Sequence, residues 1–224
     1  MYAKKPPTND ELTGLISRKA FHESFDDLLA KTKGADTSIA LAFIDIDFFY
    51  RINQDFGHSG GDDVLKTIGT LIQQFCGEQA ICARYGGDEF AVLFPNTERE
   101  QAFLALEKLR AEAAAKTFII GKKQEALAGI ALCGGIACYP VDGRLKSELM
   151  RKADQALYRA KVTGRAKVRL AYDEKMIPKT SHYTQTQLER LTKLAVEREA
   201  GEAELLREAL DDLLTKYGIN AIER

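Results

Sequence analysis

Four acidic residues in two short clusters are the part of this chain best suited to chemistry. Asp45 and Asp47 close a strand-like apolar run at residues 39–46, and Asp88 and Glu89 follow Gly86 and Gly87 in the stretch Arg84-Tyr85-Gly86-Gly87-Asp88-Glu89-Phe90. Carboxylates at a strand end and at a tight turn can hold a hard cation through oxygen ligands. The glycine pair lies between apolar runs at 80–85 and 90–94, the pattern of a hairpin whose turn needs positive φ. Gly and Asp also favour such turns for conformational reasons alone, so the turn by itself decides nothing. The two clusters become neighbours if the strands that carry them adjoin.

The elements that must position them follow from periodicity. Residues 18–33 carry Phe21, Phe25, Leu28 and Leu29 at helical spacing, with Ser17 as N-cap. A strand over 39–46 is followed by a helix over 48–56 that stops at Gly57, then by a second helix over 62–75. The hairpin supplies two strands. A helix over 98–116, an apolar strand segment over 127–139, a helix over 147–163 closed by Gly164, and a last strand over 167–172 complete the pattern. Helices alternating with strands in this way predict an α/β sandwich with helices packed over a mixed sheet.

With 224 residues, 45% of them hydrophobic, the chain can bury one full core and a small appendage. A net charge of −1 gives no global field to draw it to nucleic acid or an anionic membrane. Cys76, Cys82, Cys133 and Cys138 form no C-x-x-C pair, and three scattered histidines make no zinc-like grouping, so reduced core thiols are expected. No apolar run approaches the roughly 18 residues needed to span a bilayer. The polar start of the chain does not resemble a signal peptide. A cytoplasmic, unprocessed protein with no membrane partner is the expectation.

Composition changes at 173–178, a charged and Pro-containing boundary. Beyond it, Thr184 with Gln187 makes a capping-box start, followed by Leu188, Leu191, Leu194 and Ala195 at helical spacing up to Gly201. A second amphipathic helix carries Leu205, Leu206, Ala209, Leu210, Leu213 and Leu214.

Around the glycine turn, several stretches fall in order: Asp10-Glu11-Leu12-Thr13-Gly14-Leu15, Asp45-Ile46-Asp47-Phe48-Phe49, Asn53, residues 56–62, and 153–161 with Gly164-Arg165. As a set, over about residues 8–172, they closely resemble the GGDEF family of diguanylate cyclases. The resemblance implies a nucleotidyl-cyclase-like palm domain with a mixed central sheet. It also implies Mg²⁺ (or Mn²⁺) on Asp45, Asp88 and the Ile46 carbonyl, with Glu89 as a further ligand. The helix opening at Phe48 and Phe49 would cradle phosphates with backbone N–H groups, their rings being expected in the core. Asn53 and Asp62 would read guanine; a carboxylate accepts from its N1–H and N2–H₂ edge, which favours GTP over ATP. Lys161 and Arg165 match γ-phosphate contacts, although at a helix C-terminus they are equally favourable as plain charge. His58 is expected to be structural. Asp88 is the candidate, with Asp45, for assisting deprotonation of the 3′-hydroxyl.

The last 45 or so residues, an extended stretch and two helices, resemble the ribbon-helix-helix family of dimeric DNA-binding proteins. Counting back from Thr184 puts Tyr183 towards the core and Thr180 and His182 on the groove face, with Lys179 and Ser181 on the buried side. The expected organisation is a GGDEF domain at 1–172, a linker at 173–178 and a small strand-helix-helix module at 179–224. The expected activity is condensation of two GTP into cyclic di-GMP and two pyrophosphates across a homodimer held by the module, with double-stranded DNA as a further candidate partner. With only about eight residues before Asp10, no sensory domain is expected ahead of the catalytic one. The alternative is a DNA-binding regulator that senses GTP or cyclic di-GMP with little or no turnover.

Departures from the family pattern bear on these expectations. Tyr50 stands where the family usually has a phosphate-neutralising lysine, with Arg51 beside it. Gln54 replaces an aspartate, and Ala131, Cys133 and Gly134 depart from a Thr-x-Ser-Ile pattern. The family's product-inhibition motif, Arg-x-x-Asp, would fall on Gly77-Glu78-Gln79-Ala80, so no tight product inhibition is expected there.

Overall fold

The computed structural model describes residues 9–32, 37–121, 124–171, 180–198 and 201–217. In chain order the elements are β1 (Ile16–Ser17), α1 (Arg18–Thr32), β2 (Ile39–Ile46), α2 (Phe49–Cys76), β3 (Ile81–Gly86), β4 (Glu89–Pro95), α3 (Arg99–Ala115), β5 (Thr117–Ile120), β6 (Glu125–Ala128), β7 (Leu132–Tyr139), α4 (Lys146–Val162), β8 (Val168–Leu170), α5 (Gln185–Arg198) and α6 (Glu202–Lys216). Two compact units divide the chain, Met1–Asp173 and Glu174–Arg224. The boundary read at 173–178, Tyr172 at the end of the last strand, and Lys179 lie outside the described residues.

In the first unit β2 is buried along its whole length, as a continuous apolar run requires of a strand covered on both faces. It pairs antiparallel with β4 on one side and β7 on the other, and the full order is β1-β3-β4-β2-β7-β8. The outer strands β1 and β8 join in parallel, so the sheet is mixed. Side chains alternate along β2. Ala40, Ala42, Ile44 and Ile46 meet Val64, Ile68 and Ile72 of α2 and Leu106 and Leu109 of α3. Ile39, Leu41 and Phe43 meet Phe21 and Phe25 of α1 and Leu149, Ala153 and Leu157 of α4. By this alternation Asp45 belongs to the α4 side. Helix α4 lies close over β7 because position 135 is glycine: a Cβ there would stand 2.2 Å from the Ala153 carbonyl oxygen and from Leu157 N.

The break expected at Gly57 is present as a kink within α2, where φ is 68° and ψ 174°, a conformation that residues with a Cβ rarely adopt. The helix resumes directly after it instead of at residue 62. The glycine turn sits one residue later than the sequence suggests. Gly86 pairs with Glu89, so Gly87 (φ 32°) and Asp88 form the two-residue turn, and Tyr85 is the extra residue of a bulge. The strand expected at 127–139 is two: β6 pairs with β5 in a separate hairpin, and only β7 belongs to the main sheet. Neither β1 nor β5 is evident from sequence pattern. Ser17 does cap α1, its Oγ accepting from Ala20 N at 3.3 Å. Cys82, Cys133 and Cys138 are buried thiols and Cys76 is half-buried.

In the second unit, Thr184 N donates to Gln187 Oε1 at 2.9 Å and Gln187 N to Thr184 Oγ1 at 3.3 Å, a reciprocal cap that opens α5. Thr180–Tyr183 carry no strand within the single chain. Tyr183, expected towards a core, is 45% exposed. It lines a groove of about 580 Å³ with Leu188, Leu191 and Leu194 of α5 and Leu206 of α6.

Candidate active site where β2 meets the glycine turn

Asp45 is opposite Glu89 in the β2–β4 ladder and opposite Cys133 in the β2–β7 ladder. Directly opposed residues of an antiparallel pair share a face, so β2 and the turn do adjoin as the acidic clusters require. Burial pushes the Asp45 carboxyl above the usual carboxylate range; Lys161 opposes the rise, and the nearby charges of Asp88 and Asp47 add to it. The Lys161 ammonium, in the last turn of α4, lies 2.8 Å from Asp45 Oδ2. Two carboxylates near one another at the end of the central strands, with a cation already against one of them, form the electrostatic setting of a cation site.

Asp47 has a different task. Its side chain is fully buried, and it accepts from Arg165 Nη1 at 3.1 Å, from Ala166 N at 2.9 Å and from the Cys133 thiol at 3.1 Å. The segment after α4 is thereby tied to the end of β2. Burial, and after it the hydrogen bond to the Asp47 carboxylate, push the Cys133 thiol up to about 12.

Phe48, the N-cap of α2, lies in the left-handed region, φ 58° and ψ 29°, so the helix starts only two residues after Asp47. This corrects the expectation that both phenylalanine rings lie in the core. The Phe49 ring does pack against the core, but Phe48 is 42% exposed. Its ring carries two guanidiniums, Arg51 at 4.7 Å and Arg165 at 4.5 Å from the centroid. Tyr50 is exposed, and its hydroxyl accepts from Arg51 Nε at 3.0 Å.

Farther along α2, Asn53 and Asp62 stand on either side of the Gly57 kink. Asn53 lies against Gly61, where an added Cβ would come within 2.1 Å of its Oδ1. No hydrogen bond or ion pair reaches the half-buried Asp62 carboxylate among the described residues. His58, Thr180 and His182 are exposed.

Sequence reading gave Arg84 and Asp10 no individual role. Arg84 donates from Nε and Nη2 to the Gly87 carbonyl at 3.1 and 2.8 Å, and from Nη1 to Asp10 at 3.3 Å. Asp10 in turn accepts from the Thr13 amide and hydroxyl, both at 2.8 Å. Partial burial pushes Asp10 up, but the Thr13 hydrogen bonds and Arg84 together outweigh it and leave the carboxyl below its ordinary value. One guanidinium thus joins the turn at Asp10 to the turn that carries Asp88.

Among the described residues no three of His, Cys, Asp and Glu converge into a closed metal cage. The donor set fits a hard cation that keeps open positions and is shared with phosphate oxygens, the usual state of Mg²⁺. The Asp45 carboxylate and the turn that carries Asp88 are the acidic groups the fold brings near one another there.

Comparison with known proteins agrees with this geometry. The family model described as "Diguanylate cyclase, GGDEF domain" matches residues 8–167. The diguanylate cyclase DgcP of Pseudomonas aeruginosa is 41% identical over 163 residues, 72% of this chain and 24% of that protein. The cyclic di-GMP phosphodiesterase NbdA of the same organism is 33% identical over 156 residues, 70% of this chain and 19% of its own length. The chain therefore spans about a quarter or less of each of these two relatives. Among solved structures, the GGDEF domain of DgcB from Caulobacter crescentus in complex with c-di-GMP superposes with a TM-score of 0.70 at 33% identity. The match covers 77% of this chain and 98% of that one.

Proposed function

Because this chain belongs to the family of diguanylate cyclase GGDEF domains, we propose that it condenses two GTP into cyclic di-GMP and two pyrophosphates. The observation that carries the proposal is the convergence of Asp45 and the Asp88 turn at one end of the central strands, with Lys161 against Asp45. Each GTP presents its 3′-hydroxyl to the α-phosphorus of the other. The new P–O bond forms as the bond to pyrophosphate breaks, and the hydroxyl proton passes to solvent with Asp88 assisting. Bound Mg²⁺ or Mn²⁺ would supply Lewis-acid stabilisation of the phosphate charge, held by Asp45, Asp88, Glu89 and the Ile46 carbonyl. Asn53 and Asp62 hold the guanine edge. The backbone at Phe48 and Phe49 and the side chains of Lys161 and Arg165 hold the phosphates, releasing Asp45 and Asp47 as they do so.

One active site cannot close the ring, so two domains must face each other. The apolar stripe of the second unit supports a dimer contact there, since Leu188, Leu194, Leu210 and Leu213 are all at least 40% exposed. Such a tether raises the effective concentration of one catalytic domain for the other. Thr180 and His182 are the residues this module would turn towards double-stranded DNA. A second reading, a sensor of GTP or cyclic di-GMP with little turnover, draws on the exposed Tyr50 at the mouth of the phosphate site.

The test is incubation of purified protein with GTP and Mg²⁺, the product identified by chromatography and mass, beside Asp88→Ala. Cyclic di-GMP from the wild type and none from the variant is the expected result. Bound nucleotide without product would favour the sensor.

A further inference from the structure

Three cations stand around the start of α2, and they are not equivalent. Lys161 is paired with Asp45 and Arg165 with Asp47. Arg51 is exposed and has no carboxylate partner among the described residues, yet its guanidinium is held in place. It stacks on the Phe48 ring at 4.7 Å and donates from Nε to the Tyr50 hydroxyl at 3.0 Å. Arg165 stacks on the same ring at 4.5 Å. Two like charges therefore share one aromatic platform, and of the two only Arg165 has a carboxylate partner, Asp47, among the described residues.

Phe48 holds this platform at a cost. A phenylalanine in the left-handed region is strained, and Phe48 is left 42% exposed, so burial does not account for the arrangement. The Nε–H of Arg51 is used by Tyr50, which leaves its two NH₂ groups unassigned. A planar guanidinium with both terminal nitrogens available matches a phosphate in bidentate fashion. The amides at the start of α2 lie beside it.

We infer that Arg51, oriented by the Phe48 ring and the Tyr50 hydroxyl, is a triphosphate-binding residue of this site and supplies the cation that Tyr50 does not. The inference rests on the cyclase reading of the site. It adds that Tyr50 serves as an anchor for Arg51, so an uncharged residue at position 50 leaves the phosphate site functional. Arg165 approaches the triphosphate from the α4 side of the ring and Arg51 from α2, so phosphate binding draws the two elements onto one ligand.

The test is titration calorimetry with two ligands: GMP, and a GTP analogue whose α–β bridge is a methylene, which cannot lose pyrophosphate. Arg51→Ala should weaken the analogue about tenfold or more, the usual worth of a charge-assisted hydrogen bond, with GMP affinity unchanged. Arg51→Lys should recover only part of the loss, because an ammonium cannot stack or bind bidentately. Tyr50→Phe should show a smaller loss, again only for the analogue. Lys161→Ala serves as the control for the site itself. Arg51→Ala binding the analogue like wild type while Lys161→Ala weakens it would overturn the inference. An equal loss of GMP and analogue in Arg51→Ala would also overturn it, by showing a role in folding alone. Wild type binding neither ligand would remove the cyclase reading and this inference together.

Discussion

Asp45 works against the stability of the sheet that carries it. Burial, with Asp88 and Asp47 nearby, raises its carboxyl despite the Lys161 ammonium. A group whose pKa is higher folded than unfolded contributes stability that is fully present below the unfolded value and is lost as pH rises through the folded one. Asp45→Asn removes the disfavoured charge. It should raise Tm at neutral pH, and the advantage over wild type should shrink to nothing below the ordinary carboxylate value of 3.8. Thermal melts of both proteins across that range check this, and a lower Tm for the variant at neutral pH would show that the Lys161 pair dominates. The same substitution should abolish turnover, the usual trade of stability for function at a site. The acidic pair is legible in the sequence because one member ends an apolar strand run and the other enters a glycine turn. Phe48 is not. Two adjacent phenylalanines read alike in a helical pattern, and neither the left-handed backbone nor the arginines that stack on one ring leave a trace in local spacing.

Among the elements, the turn that carries Asp88 is held by a side chain of its own strand. Arg84 reaches over the Tyr85 bulge to the Gly87 carbonyl and continues to Asp10. It touches nothing assigned to substrate, so it is a positioning residue. Arg84→Ala should lower kcat by about tenfold or more with little change in KM, and should cost about 1–3 kcal/mol of stability through the hydrogen bonds it leaves unmade. Steady-state kinetics and denaturant melts separate the two effects, and a rise in KM at constant kcat would assign Arg84 to binding instead. Helices α1 to α4 and strands β2, β3, β4 and β7 are readable because each carries an apolar period long enough to identify. The β5–β6 hairpin is not, since its four-residue strands adjoin a helix on one side and an apolar stretch on the other. The pattern of 127–139 does not reveal that only its later part enters the main sheet. Two-residue β1 is a product of the partner it finds in β3, with Ile16 opposite Ala83.

At the level of the whole molecule, the proposed cyclase unit, which would be complete only in pairs, is followed by a small unit with exposed leucines along α5 and α6. Leu188→Glu with Leu194→Glu places charges along the α5 stripe and should turn the dimer into a monomer by light scattering. Specific activity should fall at low protein concentration and recover as concentration rises, and retention of duplex DNA by the full chain should fall with the dimer. A dimer of unchanged activity in this variant would move the assembly contact off α5. The amphipathic stripe and its Thr184 cap are plain in the sequence, whereas the extended stretch expected at 179–183 would need a second chain to form its ladder. The exposed stripe has a consequence for control. Below the dimer dissociation constant, the number of working pairs grows with the square of the number of chains, and the turn at Gly77 to Ala80 offers no arginine–aspartate motif for product to act on. Such a protein would report its own abundance: doubling its concentration would quadruple the rate of synthesis, and dilution by growth would quench it.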